Sequence, residues 1–136
     1  MERALTVVSD VKNLSELLEG ARIEEAALAP VGGLMQLTLT VTRAVVEQQR
    51  VVRHGFRRRV ETPWATSRVV INGIRAVTQR PSPADGSSAD SPLLSCDAVG
   101  GGYQLTVRDP AGWQFVLEVE QLQGSFTDVG ELIHAP

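Results

Sequence analysis

Between Gln36 and Thr42 the chain alternates without a break: Leu37, Leu39 and Val41 on one side, Thr38, Thr40 and Thr42 on the other. A period of two with β-branched residues on the polar side marks a strand that buries one face. The same period returns in Tyr103, Leu105 and Val107. After the turn-forming run Asp109-Pro110-Ala111-Gly112 it resumes in Trp113, Phe115, Leu117 and Val119. These stretches predict a hairpin whose inner face holds most of the aromatic mass of the chain. Leu93 to Ala98 predicts a further strand, followed by Gly100-Gly101-Gly102. A strand, not a helix, follows those glycines, so they read as a turn and not as a phosphate cradle.

Helical spacing is clearest near the start, in Val11, Leu14, Leu17 and Leu18, with Gly20 as the stop. A short strand over Leu5–Val8 precedes it, and Ser9 or Asp10 is the expected cap. Arg22 to Leu28 reads as extended, punctuated by Pro30-Val31-Gly32-Gly33. Beyond Arg43 two patterns compete. Ala44, Gln48, Val51 and Val52 fit a helical stripe, whereas Val45-Val46 and Val51-Val52 fit a strand running on into a ribbon, the extended form being favoured. Arg68 to Gln79 is rich in Val and Ile around Asn72-Gly73, which suits either a tight hairpin turn or a bulge in one long strand. Pro81 to Pro92 predicts a mobile surface loop, the flexible stretch being about 80–92. Leu122 and Phe126 continue the last apolar series, and Ser125 or Thr127 is expected to cap a final short turn through Leu132.

The order of elements gives a mainly β fold, α+β at the margin. It predicts an antiparallel curled sheet or sandwich of six or seven strands with one N-terminal helix. Strands follow strands without crossover helices, which argues against a parallel sheet. A length of 136 residues, 43% hydrophobic and 21% charged, fits a single globular domain over 1–136. The lone cysteine, Cys96, excludes an internal disulfide framework. With no signal-peptide pattern at the start and no apolar run of membrane-spanning length, a cytoplasmic protein with no membrane partner is expected.

Charge changes the picture in one place. The chain carries a formal net charge of −3, yet Arg50, Arg53, His54, Arg57, Arg58 and Arg59 fall together with no acid between Glu47 and Glu61. A local positive field draws phosphates, carboxylates or acidic protein surfaces. Phe56 and Trp64 lie close enough in sequence to stack on bases, so the candidate binding surface is these two aromatics with the six basic residues. An extended backbone splits Arg57 and Arg59 from Arg58, and no RNA-binding signature accompanies them. The plainer alternatives are a solvated ribbon tip, or an internal partner for acids such as Glu24, Glu25, Glu118 and Glu120.

Catalytic and metal chemistry find little to stand on. His54 and His134 are the only imidazoles, and neither has a histidine or cysteine at ligand spacing. His54 is expected to be held neutral by its arginine neighbours, and His134 to fray at the chain end. Ser95-Cys96-Asp97 holds a nucleophile type, but alternation puts Cys96 on the same side as Leu94, where a buried thiol packs as a small apolar group. No catalytic, cofactor-binding or metal-ligating residue is assigned.

The run Leu117-Glu118-Val119-Glu120 followed by Thr127-Asp128-Val129-Gly130 resembles the C-terminal pattern of a family of small uncharacterised proteobacterial proteins. That family is similar again in an arginine-rich segment leading to a Val-rich strand, here Arg57-Arg58-Arg59 running to Arg68-Val69-Val70-Ile71. The Pro81–Pro92 loop and Asn72-Gly73 depart from it. The resemblance implies a domain of unknown function and carries over no catalytic residue. The sequence therefore points to a non-catalytic protein-interaction or binding module with a protein partner, a second copy included: the basic window of one copy docks on the Glu-rich face of another. The alternatives are a binder of single-stranded nucleic acid or another polyanion through Arg50–Arg59, and an enzyme whose site forms between subunits.

Overall fold

In the computed structural model the described residues are 2–45, 50–55, 57–61, 63–81, 93–109 and 113–134. Their order is β1 (Glu2–Leu5), α1 (Val8–Leu17), β2 (Arg22–Val31), β3 (Leu34–Ala44), β4 (Arg50–His54), β5 (Arg57–Glu61), β6 (Pro63–Pro81), β7 (Leu94–Val99), β8 (Gly102–Asp109) and β9 (Trp113–His134). Seven strands form one antiparallel open sheet in the order β2-β3-β6-β9-β8-β7, with β1 also on β9, while β4 and β5 pair as a separate ribbon. The mainly β, one-helix expectation is met. Of the surface loop expected over about 80–92, Arg80 and Pro81 instead end β6, where they pair with Gln114 and Trp113, and 82–92 lie outside the described residues.

The alternating segments take the places their periodicity demands. Leu37, Leu39 and Val41 on β3 are fully buried, opposite Ile71, Val69 and Ser67 of β6. Leu105 and Val107 face Leu117 and Phe115 across the β8–β9 hairpin. One helix covers this core through Val11, Leu14 and Leu18, joined by Leu5 and Phe126. From β3 to β7 the sheet is about 20 Å wide at normal strand spacing. A ten-residue helix is about 15 Å long and 10 Å across. It packs chiefly against β7 and β1, and its apolar side chains belong to one buried cluster with residues from all those strands.

Bulges supply the curl. Asn72-Gly73 makes no hairpin: β6 runs straight through it, and Gly73 sits at φ +68° where the register shifts against both neighbours. The hairpin alternative fails because the sequence on either side finds its partners in β3 and β9, not in each other. On β9, Asn72 pairs with Gln123 and Ile74 with Val119, so Glu120, Gln121 and Leu122 stand against Gly73 alone. Here β9 changes its second partner: β8 leaves at Val119 and β1 joins at Gly124.

Three other local expectations are corrected. The first strand ends at Leu5, and Val8 already belongs to the helix. The cap residue is Val7, not Ser9 or Asp10; Asp10 acts from inside the first turn, its carboxylate accepting from the backbone amides of Thr6 at 3.0 Å and Val7 at 3.2 Å. Those amides hold the Asp10 carboxyl below its ordinary pKa. No terminal turn forms after Ser125 or Thr127, because β9 continues as a strand to His134 and pairs with both β1 and β6. No helix among the described residues is long and apolar enough to cross a membrane.

Where β9 runs between β1 and β6, Gly124 has little room for a side chain. A Cβ built on Gly124 lies 2.8 Å from the Val70 carbonyl oxygen and 3.3 Å from Leu5 Cβ. Gly101, in the β7–β8 turn, has nothing within 4 Å and no positive φ. Gly124→Ala is expected to lower stability by about 1–3 kcal/mol, as overpacking against backbone does. Gly101→Ala should change it by less than about 0.5 kcal/mol. Urea unfolding of the two variants checks the contrast.

Candidate functional site

The basic window folds as predicted for the extended alternative. Its register sets Arg53 opposite Arg58, His54 opposite Arg57, Val52 opposite Arg59 and Arg50 opposite Glu61, with Gly55 in the turn at φ +63°. Positions Arg57 and Arg59 thus share one face of the ribbon and Arg58 the other, with Arg53. Phe56 lies outside the described residues. Trp64 does not belong to the ribbon at all: it is a half-buried member of the main sheet, between Ala44 and Ile133. The structure therefore gathers the basic positions and leaves the tryptophan apart. Of the acids considered as partners, Glu24 accepts from the Thr42 hydroxyl at 3.2 Å and Glu120 meets Arg75 at 3.0 Å.

Near the ribbon base lies a polar cluster that the sequence did not suggest. Arg43 continues the inward positions of β3 after Val41 and is only 1% exposed. Its Nε and Nη2 donate to Asp128 Oδ1 and Oδ2 at 3.2 and 2.9 Å, and its guanidinium carbon stands 5.6 Å from the centre of the Phe126 ring. The Ser67 hydroxyl donates to Asp128 Oδ1 at 2.5 Å. Burial pushes the Asp128 carboxyl up, but hydrogen bonds from Arg43 and Ser67 and the Arg43 charge outweigh it, leaving the pKa below its ordinary value. This geometry ties β3, β6 and β9 together. It presents no free base or nucleophile.

Cys96 is half-buried against the core, and burial followed by the charge of Asp97 raises its pKa, which disfavours the reactive thiolate. His134 sits at the end of β9 opposite Pro63. No cluster of three metal-ligating side chains occurs among the described residues. Open clefts surround the β9 bend, lined by Arg75, Tyr103, Glu118, Glu120 and Gln121, with Arg75 and Glu120 already paired.

The remaining feature is an edge. β2 closes the sheet on one side, and among the described residues no strand lies beyond it. Its run Ala26-Ala27-Leu28-Ala29-Pro30-Val31 has no charge, and Leu28, Val31 and Leu34 beyond the turn are 36%, 54% and 42% exposed. Sheet edges of this length are usually blunted by charges, bulges or cover. The opposite edge is: β7 has six residues, carries exposed Asp97, and has α1 packed against it. On β2 the charged blunting devices, Glu24 and Glu25, and a register shift lie in the first few residues, and Pro30 near the other end removes one outward donor.

The backbone phase of β2 follows from its turn. Gly32 and Gly33 both have positive φ, +60° and +84°, so a two-residue loop of the mirror type joins Val31 to Leu34. Such a loop closes on a hydrogen-bonded pair, and alternation then turns the amides of Ala29 and Ala27 toward β3 and those of Leu28 and Ala26 outward. Pro30 falls on an outward position, where its missing N–H costs the sheet nothing. Sequence alone showed Arg22–Leu28 as extended; that it is an edge depends on strand order.

No family model, curated protein or solved structure matches this chain.

Removing one partner of the buried ion pair should be costly. Asp128→Ala is expected to destabilise by about 3 kcal/mol, because it takes the bidentate carboxylate away from a buried guanidinium. Since the folded pKa of Asp128 is depressed, its contribution is complete above the unfolded value near 3.8 and is lost as pH falls through the folded value. Urea midpoints from pH 6 to pH 2 should therefore converge for wild type and Asp128→Asn at the acid end.

Proposed function

We propose that the chain is a non-catalytic protein-interaction module that takes an extended segment of another polypeptide onto the free edge of β2. The observation that carries this is the uncharged run Ala26–Val31, exposed along an edge with outward amides and carbonyls at Ala26 and Leu28. Strand addition uses main-chain hydrogen bonds for affinity and alternate side chains for selectivity. The lone thiol Cys96, without a disulfide partner in the chain, fits work in the cytoplasm.

Site-specific photo-crosslinking tests it. A photoreactive residue replacing Leu28 in the native host should give adducts with another polypeptide, and the same residue replacing exposed Thr78 should not. If position 28 gives no adduct while the variant remains folded, strand addition at β2 is wrong.

A second function has one specific observation in its favour. The register sets Arg53 directly opposite Arg58, and like charges at opposed positions repel unless an anion screens them. A single-stranded nucleic acid or another polyanion on the ribbon would supply that anion. Contact with about three to five phosphates should give a log–log salt slope of roughly −2 to −4 with an oligonucleotide, measured by fluorescence anisotropy. An affinity unchanged by Arg53→Ala with Arg58→Ala, and unchanged again by Arg57→Ala with Arg59→Ala, excludes it.

A further inference from the structure

We infer that the segment β2 receives is β2 of a second copy, paired antiparallel about a twofold axis at Ala27. This rests on the strand-addition proposal and names its occupant. The outward positions of β2 are Ala26, Leu28 and Pro30, and a new antiparallel ladder must form its hydrogen-bonded pairs among them. A twofold at Leu28 sets Ala26 against Pro30, and one at Ala29 sets Leu28 against Pro30; each leaves a carbonyl facing a residue with no N–H. A twofold at Ala26 sets Leu28 against Glu24, which falls within the register shift of β2. At Ala27, Ala26 of each copy exchanges both bonds with Leu28 of the other, so both outward amides of the run are used; Pro30 falls opposite Glu24, in the register shift where the ladder ends.

The side chains agree with that register. Ala27 meets Ala27 of the second copy, where a small residue suits the close approach of a non-hydrogen-bonded pair. Glu25 falls opposite Ala29, so no carboxylate faces a carboxylate. Moving the axis to Glu25 would set two glutamates directly opposite, which is unfavourable. Leu28 and Val31 lose much of their exposed surface. The contact is small beside the roughly 800 Å² per partner of a standard interface, so the dimer should dissociate on the order of micromolar concentration.

Disulfide trapping reads the register directly. A non-hydrogen-bonded pair puts Cα atoms about 4.5 Å apart, within the span a disulfide accepts. In a Cys96→Ala background, Ala27→Cys should form a covalent dimer under mild oxidation at least tenfold faster than Ala29→Cys, whose copies lie about 13 Å apart in this register. Sedimentation of the unmodified full chain should show concentration-dependent dimer at 1–100 micromolar, removed by Leu28→Lys with the circular dichroism spectrum unchanged. Equal trapping rates at the two positions, or a monomer throughout, overturn the inference. Crosslinks from position 28 to a different polypeptide, with a monomer in sedimentation, reject the second copy and leave strand addition standing; no adduct of any kind removes both.

Discussion

The antiparallel pairing of β6 with β9 is the interaction on which the remaining structure depends. The two strands run side by side from Pro63 opposite His134 to Pro81 opposite Trp113, and every other strand of the main sheet is attached to one of them directly or through one neighbour. A flat ladder of that length could not close over a single short helix. The excess of Glu120, Gln121 and Leu122 against Gly73 bends it near its middle. Past the bend the outer edge of β9 passes from β8 to β1, so the chain's first strand fills the space that β8 vacates. Leu5 and Phe126 then meet the helix residues Val11, Leu14 and Leu18 in one core. Among the described residues the six-strand path ends on one side in short β7, against which the helix packs, and on the other in long β2, beyond which no strand lies.

Arg43, Asp128 and Ser67 sit toward the ribbon end of that ladder, one on each of its three central strands. Burying an ion pair is weak evidence of stability, since desolvation offsets much of the attraction. Its effect on register is more direct. A one-residue slip of β3 against β6 would turn Arg43 outward and leave Leu37, Leu39 and Val41 on the wet face together. The polar cluster and the apolar alternation therefore select the same pairing, which keeps the base of the ribbon fixed although the ribbon shares no strand with the main sheet.

How much of this was legible depends on whether the signal was local. Alternation in Gln36–Thr42 and across Tyr103–Val119 exposed the strands because each buries one face, and the helix showed itself through Val11, Leu14 and Leu18. Where a distant partner decides, local chemistry misled. Asn72-Gly73 has the chemistry of a hairpin turn, yet β3 and β9 hold both flanks and convert it to a bulge. Ser125 and Thr127 have capping side chains, yet β1 and β6 claim their backbone for a strand. Val7 caps with no polar side chain because Asp10 reaches back to the free amides. Arg43 offered one clue: it extends the inward parity of Leu37, Leu39 and Val41, and an arginine at such a position needs an acid. Which acid, and which strand lies at the edge, are properties of strand order, and composition does not carry them.

Charge drew attention to the ribbon, and the fold moves it to β2 for a reason that concerns desolvation. Arginines placed on a two-stranded ribbon keep unwanted strands away, since an incoming backbone would have to displace water from charged neighbours. The ribbon is therefore poorly suited to strand addition and well suited to long-range attraction, which needs no dry contact. β2 has the opposite character, with outward amides among alanines, a leucine and a valine that lose little by leaving water. A twofold pair joined along β2 would carry two ribbons, so any anion long enough to reach both would be held by their combined effective concentration and not by either ribbon alone.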